Sequence, residues 1–431
     1  MKRVLYDSLL KWKEKENRKP LILLGARQTG KTWILKEFGK NEYSNVVYLN
    51  CDNNPVLSSS FFDFDIHRLL RVFSALTGET IEEGRTLIIL DEIQEIPLAL
   101  TSLKYFQEEA PGYHVAVAGS LLGISVHNGT GFPVGKVDQL TLYPMTFKEF
   151  LMANDKNSLV KLMENHDWEK NAGFNPVFQD QLRQYYYTGG MPEVVDYYIR
   201  TQNLHETREL QKRILADYER DFSKHIPSNL LAKVKLVYGS IPAQLAKENK
   251  KFLYGAIKKG GRAKEFEDAI QWLVDAGLVY KINRLSKIQA PLKHYEILSD
   301  FKLFVSDLGL LGAMNDTTAS QVLVGDTIFE EYKGAFTEQY VCQEIMALPM
   351  KPYYYSNNNS TMEIDFVIQK EKVYPLEVKA EENLRSKSLR TVVKTNDALT
   401  GIRFSMSGYR DQGWMINVPL YFAQQWINDC L

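Results

Sequence analysis

The first 150 residues alternate between short apolar runs and stretches with helical spacing. Between Pro20 and Phe150 the runs are "LILL", "NVVYLN", "TLIIL", "HVAVAG" and "VDQLTL". Continuous runs of this kind, rich in β-branched residues, are typical of strands that are buried on both faces of a sheet. Strands that alternate with helices favour a parallel sheet. The pattern therefore predicts an α/β domain with a mainly parallel sheet.

The pattern changes after this domain. From about Asn157 to Asp221 it is helical and charged, interrupted by "TGGMP", which predicts a helical lid. From Leu230 to Leu285 three short helical patterns lead into the alternating segment "AGLVYKINRL", an order typical of a winged helix-turn-helix. After Ser299 helices and strands alternate again, which predicts a second α/β domain. The predicted segments are 1–155 (α/β domain), 156–228 (helical lid), 229–290 (winged helix-turn-helix) and 291–431 (second α/β domain).

Length and composition fit a multidomain globular protein. The chain has 431 residues, which exceeds a single core, and 45% of them are hydrophobic. The net charge of -1 is not that of a nucleic-acid coat, so any contact with nucleic acid must come from a local basic patch. Cys51, Cys342 and Cys430 are too scattered for a zinc site or a disulfide framework. The sequence shows neither a signal peptide nor an apolar stretch of membrane-spanning length, so we expect a cytoplasmic protein without membrane contact.

The segment "GARQTGKT" follows the first apolar run and matches the phosphate-loop pattern GxxxxGK[ST]. Two glycines at this spacing let successive backbone N–H groups and the start of the next helix face an anion. Lys31 is expected to reach the β- and γ-phosphates of a nucleotide, and the Thr32 hydroxyl is expected to bind Mg²⁺. The residues predicted to surround the phosphates are Gly25, Gln28, Thr29, Gly30, Lys31 and Thr32.

An acidic pair follows the third apolar run. In "RTLIILDEIQEIP" the run ends at Asp91, the expected partner of Mg²⁺, and Glu92, the expected base that polarises the attacking water. A base at this position favours hydrolysis over phosphoryl transfer to a small molecule. Because no guanine-reading motif is present, ATP is the predicted nucleotide. Ser120 ends the next strand pattern, where it either senses the γ-phosphate or simply terminates a strand.

A second acidic cluster lies in "MEIDFVIQKEKVYPLEVKA". Alternation puts Glu377 and Lys379 on one face of a strand, and a hairpin would bring Asp365 beside Glu377. Two carboxylates suit Mg²⁺ or Mn²⁺, Lys379 could orient a nucleophilic water, and Glu338 on the preceding helix is a further candidate ligand. This arrangement resembles the PD-(D/E)xK nuclease superfamily, which implies a restriction-endonuclease-like fold with these four residues as metal and catalytic positions. The proline that often precedes the first acid is replaced by Ile364.

A basic cluster precedes the last helix of the predicted winged helix-turn-helix. Such a cluster could contact the phosphates of DNA. The following helix carries Glu265, Glu267 and Asp268, which would repel the DNA backbone, so a solvated face is the alternative. The basic residues are Lys247, Lys250, Lys251, Lys258, Lys259, Arg262 and Lys264.

Six motifs together resemble one family. The motifs "GARQTGKT", "LDEIQ", "YPMTFKEFL", "GGMPEVV", "SDLGLL" and "PLEVKA" resemble bacterial and archaeal AAA-type ATPases that carry a C-terminal restriction-endonuclease-like domain of unknown function. The resemblance spans nearly the whole chain and implies a P-loop NTPase of the AAA (ASCE) type that uses ATP and Mg²⁺. It also implies a homo-oligomer in which one copy supplies an arginine to the site of the next. Arg183, Arg213 and Arg220 are the candidates for that arginine.

Two functions remain open from the sequence. In the first, ATP hydrolysis controls a metal-dependent nuclease domain that acts on nucleic acid. In the second, the chain is a regulatory ATPase whose nuclease-like fold binds nucleic acid or protein without cleaving it.

Overall fold

The computed structural model describes residues 1–120, 132–247, 250–324, 330–357, 359, 361–380, 386–396 and 399–431. Contacts within the chain divide it into two units. Unit 1 comprises Met1–Tyr143 with Asp275–Gly277, and unit 2 comprises Pro144–Val274 with Leu278–Leu431. The division into four segments expected from the sequence is finer than this and stays a prediction.

Unit 1 is built on a five-stranded parallel sheet, as the apolar runs predict. The spatial order is β2-β3-β4-β1-β5, and every pairing is parallel. Because these strands are parallel, the loop after β1 and the acids at the end of β3 open at the same edge of the sheet, on either side of β4. The strands are β1 (Leu21–Leu24), β2 (Asn45–Asn50), β3 (Thr86–Asp91), β4 (His114–Ala118) and β5 (Asp138–Thr141).

Helices cover both faces of this sheet. On one face, Ile88 and Leu90 of β3 pack with the helices Ile66–Thr77 and Pro97–Glu109. On the other face, Leu87 and Ile89 pack with the helices Leu5–Glu14 and Lys31–Glu42. Alternate residues of one strand therefore serve two cores, which explains why the run "TLIIL" is apolar throughout. The helices are α1 (Leu5–Glu14), α2 (Lys31–Glu42), α3 (Pro55–Ser60), α4 (Ile66–Thr77) and α5 (Pro97–Glu109).

Unit 2 contains an eight-stranded mixed sheet in the order β12-β13-β11-β10-β9-β8-β6-β7. The hairpin of β6 and β7 joins the C-terminal strands because β6 also pairs in parallel with β8. The boundary predicted between residues 290 and 291 therefore lies inside one hairpin. The strands are β6 (Val279–Leu285), β7 (Glu296–Val305), β8 (Tyr353–Ser356), β9 (Glu363–Gln369), β10 (Val373–Val378), β11 (Gly401–Ser405), β12 (Arg410–Asp411) and β13 (Met415–Pro419).

Helices make up most of the chain between β5 and β6. Three of them, α11 to α13, precede the β6–β7 hairpin, which is the predicted order of elements, although the assignment as a winged helix-turn-helix stays a prediction. Within the described part of the chain, no helix is long and apolar enough to span a membrane. The helices are α6 (Phe147–Ala153), α7 (Asn157–Glu164), α8 (Asn175–Thr188), α9 (Pro192–Thr201), α10 (Leu204–His225), α11 (Ser228–Leu245), α12 (Tyr254–Ile257), α13 (Ala263–Asp275), α14 (Leu308–Met314), α15 (Ala319–Val324), α16 (Glu330–Met346), α17 (Lys387–Lys394) and α18 (Ala423–Cys430).

Three of the quoted motifs meet at a buried joint in unit 2. The N–H of Met145 donates to the carbonyl of Gly190 at 2.7 Å, and the N–H of Gly190 donates to Asp307 Oδ2 at 2.6 Å. Asp307 also caps helix α14 by accepting from the N–H of Leu310. Burial raises the pKa of Asp307 to about 6 against the opposing effect of these hydrogen bonds. The motifs "YPMTF", "GGMP" and "SDLG" thus have a structural role.

Candidate functional site

The phosphate-loop segment connects β1 to α2 in a conformation that requires its glycines. Gly25 has φ 141° and Gly30 has φ 94°. A Cβ on Gly25 would lie 2.2 Å from the carbonyl oxygen of Leu142, so even alanine is excluded there. Gln28, at φ 65°, adopts a left-handed conformation that costs a non-glycine residue free energy. Such alternation of backbone conformation forms a concave set of amides suited to anions.

Lys31, the first residue of α2, is buried beneath this loop. Its ammonium donates to the carbonyls of Gly25 at 2.8 Å and Ala26 at 2.7 Å. Burial lowers the pKa of Lys31 to about 8, although Glu92 and Asp91 act in the opposite direction. The loop therefore carries a positive charge that has lost most of its hydration, which strengthens its attraction for phosphate.

Asp91 and Thr32 are brought together at the end of β3. The Thr32 hydroxyl donates to Asp91 Oδ2 at 2.7 Å, and the Tyr48 hydroxyl donates to the same oxygen at 3.0 Å. Asp91 is 5% exposed. A hydroxyl and a carboxylate at this distance match the oxygen ligands that Mg²⁺ prefers, so these residues fit the predicted metal. Tyr48, which lies on β2, gave no signal in the sequence.

Glu92 is held by two neighbours. It occurs at φ 50°, a strained conformation of the kind that concentrates at functional sites. Its Oε2 accepts from Gln94 Nε2 at 2.6 Å and from the N–H and hydroxyl of Ser120, both at 3.2 Å. Burial raises the pKa of Glu92, but the hydrogen bonds from Gln94 and Ser120 and the charge of Lys31 outweigh it, so that the pKa is lowered. Ser120, predicted as a phosphate sensor, thus contacts the predicted base.

The structure does not single out any of the three arginines that were candidates for supply to the site of another copy. Arg183, Arg213 and Arg220 are exposed residues of unit 2, and Arg220 pairs with Asp217 at 2.6 Å. An arginine supplied by a second copy stays a prediction.

In unit 2, lysines surround two of the acids that were predicted to bind a metal. Glu338 is 4% exposed and forms an ion pair with Lys250, and Lys302 Nζ lies 3.6 Å from its other oxygen. Lys302 is fully buried and also pairs with Glu363. Burial raises the pKa of Glu338, but the two lysines outweigh it and lower the pKa. Burial and the neighbouring Glu338 raise the pKa of Asp365.

Glu377 has different partners. Its carboxylate lies 3.4 Å from Lys379 Nζ, and it pairs in register with Arg403 of β11. Burial lowers the pKa of Arg403, although the charge of Glu377 acts in the opposite direction. Asp365 Oδ2 accepts from the N–H of Val378 at 2.7 Å.

The predicted C-terminal metal centre stays a prediction. Among the residues that the structure describes, no group of three or more His, Cys, Asp or Glu side chains could hold a metal ion. Glu338 and Asp365 are joined by a side-chain hydrogen bond, and lysines lie beside Glu338 and Glu377. The hairpin of β9 and β10 forms as predicted, with Leu376 opposite Phe366.

The basic cluster before α13 is partly neutralised. Besides Lys250, Lys251 pairs with Asp300 at 2.8 Å and Lys258 with Glu265 at 3.5 Å. Three of its seven basic side chains are thus engaged by acids. Lys259, Arg262 and Lys264 are exposed.

Comparison with known proteins supports the nucleotide site. Residues 17–151 match the family model described as an AAA domain, which covers the phosphate loop and the acidic pair. Residues 179–321 match a domain of unknown function (DUF8612), and residues 333–421 match a second domain of unknown function (DUF4143). No curated protein matches the chain. The chain thus contains an AAA-type ATPase domain, a class that uses ATP and Mg²⁺, and this part of the family prediction is confirmed.

Solved structures resemble the chain only distantly. A Walker-type ATPase of Pyrococcus abyssi is 13% identical, with 73% of this chain and 95% of that chain covered and a TM-score of 0.45. The ORC1 protein of Aeropyrum pernix in complex with DNA is 14% identical, with coverage of 73% and 90% and a TM-score of 0.29. Cdc6p from Pyrobaculum aerophilum is 13% identical, with coverage of 74% and 93% and a TM-score of 0.26. At these scores the similarities carry no argument about this chain.

Proposed function

We propose that the chain hydrolyses ATP at the edge of the unit 1 sheet, with Lys31, Thr32, Asp91 and Glu92 as the reacting machinery. The observation that carries this proposal is the 2.7 Å contact between the Thr32 hydroxyl and the Asp91 carboxylate, beside a buried lysine in a glycine loop. A kinase reading is disfavoured because Glu92 follows Asp91 directly, where it can act on a water.

In this proposal the loop binds the triphosphate, and the Lys31 ammonium exchanges its present hydrogen-bond acceptors for phosphate oxygens. The phosphate oxygens replace the carbonyls of Gly25 and Ala26 as acceptors for the ammonium. Thr32 and Asp91 would hold Mg²⁺, which would supply positive charge to neutralise the β- and γ-phosphates.

Glu92 then acts as the general base. Its low pKa keeps it ionised at neutral pH, so it can accept a proton from water. While Gln94 and Ser120 donate hydrogen bonds to Glu92 Oε2, this oxygen is less able to accept a proton from water.

Lysine substitution tests this function. Lys31→Ala is expected to lower the rate of ATP turnover about hundredfold or more, because it removes a charge that faces the transferred phosphate. Lys40→Ala is the matched control, since Lys40 is an exposed lysine near the end of the same helix. Release of phosphate from ATP and Mg²⁺ is the measurement. Equal rates for the wild-type chain and Lys31→Ala would refute the proposal.

For unit 2 we infer a module that binds nucleic acid or protein without metal-dependent cleavage. The supporting observation is Lys302, which is fully buried and balances both Glu338 and Glu363. A buried carboxylate must be neutralised, and an ammonium does so in place of a metal. The exposed Lys259, Arg262 and Lys264 offer a surface for DNA phosphates. The alternative is the PD-(D/E)xK nuclease, which needs a divalent ion at Asp365 and Glu377.

Metal titration separates the two alternatives. In a Lys31→Ala background without nucleotide, we expect Mn²⁺ binding, measured by calorimetry, to be the same with and without Asp365→Asn. We also expect equal nicking of plasmid DNA by the wild-type chain and Lys379→Ala in Mg²⁺. Binding of Mn²⁺ that Asp365→Asn abolishes, together with nicking that Lys379→Ala abolishes, would establish the nuclease instead.

A further inference from the structure

A buried arginine from the N-terminus contacts the phosphate loop. Arg3 is 7% exposed, although arginine side chains are rarely buried without a specific reason. Its Nη1 donates to the carbonyl of Thr29 at 2.9 Å, and its Nη2 donates to the carbonyl of Tyr143 at 2.5 Å. The two acceptors come from the loop after β1 and the segment after β5.

A hydrogen bond to the carbonyl of Thr29 also affects the N–H of Gly30, because the two groups belong to the same peptide unit. A trans peptide is planar, so its carbonyl and its N–H point in opposite directions. When Arg3 holds the Thr29 oxygen, the Gly30 N–H is turned away from Arg3. The Thr29 side chain cannot compensate, since its buried hydroxyl already donates to the carbonyl of Ala26 at 2.8 Å.

The carbonyl of Tyr143 connects the same arginine to the other end of the loop. Leu142, the residue before Tyr143, donates its N–H to Leu24 at 2.8 Å, and its carbonyl is the atom that excludes a side chain at Gly25. One guanidinium thus links the segment that supports the start of the loop to the peptide near its end. Glycine-rich backbone has many alternative conformations, so a link of this kind reduces the entropy lost on binding a ligand.

We propose that Arg3 is a positioning residue for the nucleotide site, which sets the orientation of the Thr29–Gly30 peptide so that the Gly30 N–H is available to phosphate. This inference rests on the proposed ATP site. Two hydrogen bonds from a planar fork are needed, and a lysine ammonium does not reproduce that geometry.

Nucleotide binding to variants of the full chain tests the proposal. Arg3→Ala is expected to weaken ATP binding about ten- to hundredfold, the equivalent of one or two charge-assisted hydrogen bonds. Arg3→Lys is expected to lie between Arg3→Ala and the wild-type chain. Lys2→Ala, which changes the exposed neighbour of Arg3, should leave binding unchanged.

Three readouts separate positioning from a loss of folded protein. A positioning role raises KM for ATP and leaves the number of sites per chain unchanged, whereas unfolding lowers the number of sites and leaves KM unaltered. Added guanidinium ion, below denaturing concentrations, is expected to restore affinity to Arg3→Ala but not to Lys31→Ala. Adenosine binding should be the same in Arg3→Ala and wild type, because adenosine has no phosphate.

An unchanged KM for Arg3→Ala, or a loss seen only in the number of sites, would overturn the proposal. If the wild-type chain itself binds no ATP, the proposed function fails instead. The two failures are therefore distinguishable.

Discussion

At the scale of single residues, the sequence predicted those site residues that are contiguous in a motif. Lys31, Thr32 and Asp91 meet because the loop and the acid follow strands of one parallel sheet. Tyr48 and Arg3 could not be predicted in the same way. Each is an ordinary residue type that reaches the site only through the folded arrangement of other elements.

The buried ammonium of Lys31 makes nucleotide affinity dependent on pH. Its pKa is lowered to about 8, so the charged form is lost as pH rises through that value. Since phosphate binds the charged form, we expect the dissociation constant for ATP to be constant below pH 7.5. It should then rise by up to about tenfold per unit above pH 8.

Titration of ATP between pH 7 and 9.5 measures this dependence. Lys31→Arg is the control, because a guanidinium stays charged over the whole range and its curve should be flat. A flat curve for the wild-type chain would contradict the assigned environment of Lys31.

At the scale of elements, continuous apolar runs predicted the strands of unit 1, because the central strands β1, β3 and β4 are buried on both sides. The position of β6 in the second sheet was not predictable. Its alternation shows that one face is buried, but nothing local shows that it pairs with β8, about 70 residues later along the chain. Lys250 and Lys302, which lie beside Glu338, were not predictable for a related reason, since they come from elements outside the motif. The C-terminal metal site itself stays a prediction.

The joint between three motifs in unit 2 predicts a contrast between two glycines. A Cβ on Gly190 would lie 2.1 Å from the carbonyl oxygen of Met145, so Gly190→Ala must displace backbone. We expect it to lower the free energy of unfolding by more than about 2 kcal/mol. Gly239 lies in helix α11, where a Cβ would meet no described atom within 4 Å outside its helix's neighbouring backbone. Gly239→Ala should therefore stabilise the protein by about 0.5–1 kcal/mol.

Chemical unfolding of both variants, followed by circular dichroism, measures this contrast. Equal free energies of unfolding for Gly190→Ala and the wild-type chain would show that the backbone of this joint can be displaced without loss of stability. The motifs would then need a functional explanation.

At the scale of the whole molecule, the two units carry different kinds of charged site. In the site proposed for unit 1, a carboxylate and a hydroxyl would share a divalent ion, and a lysine would face the phosphates. In unit 2 Lys250 and Lys302 form ion pairs with Glu338 and Glu363. We therefore expect ATP hydrolysis by unit 1 to require a divalent ion. We do not expect the binding of nucleic acid or protein by unit 2 to require one.

The most direct test is a titration of ATP into the full chain with and without Mg²⁺, for the wild type and Asp91→Asn. We expect one nucleotide per wild-type chain and an affinity that Mg²⁺ increases about tenfold or more, the gain from one well-placed divalent charge. Asp91→Asn should retain the nucleotide but lose the increase, because the carboxylate beside Thr32 is gone. If the wild-type chain retained no ATP, or if Mg²⁺ strengthened binding equally in Asp91→Asn, the account of the site would be contradicted.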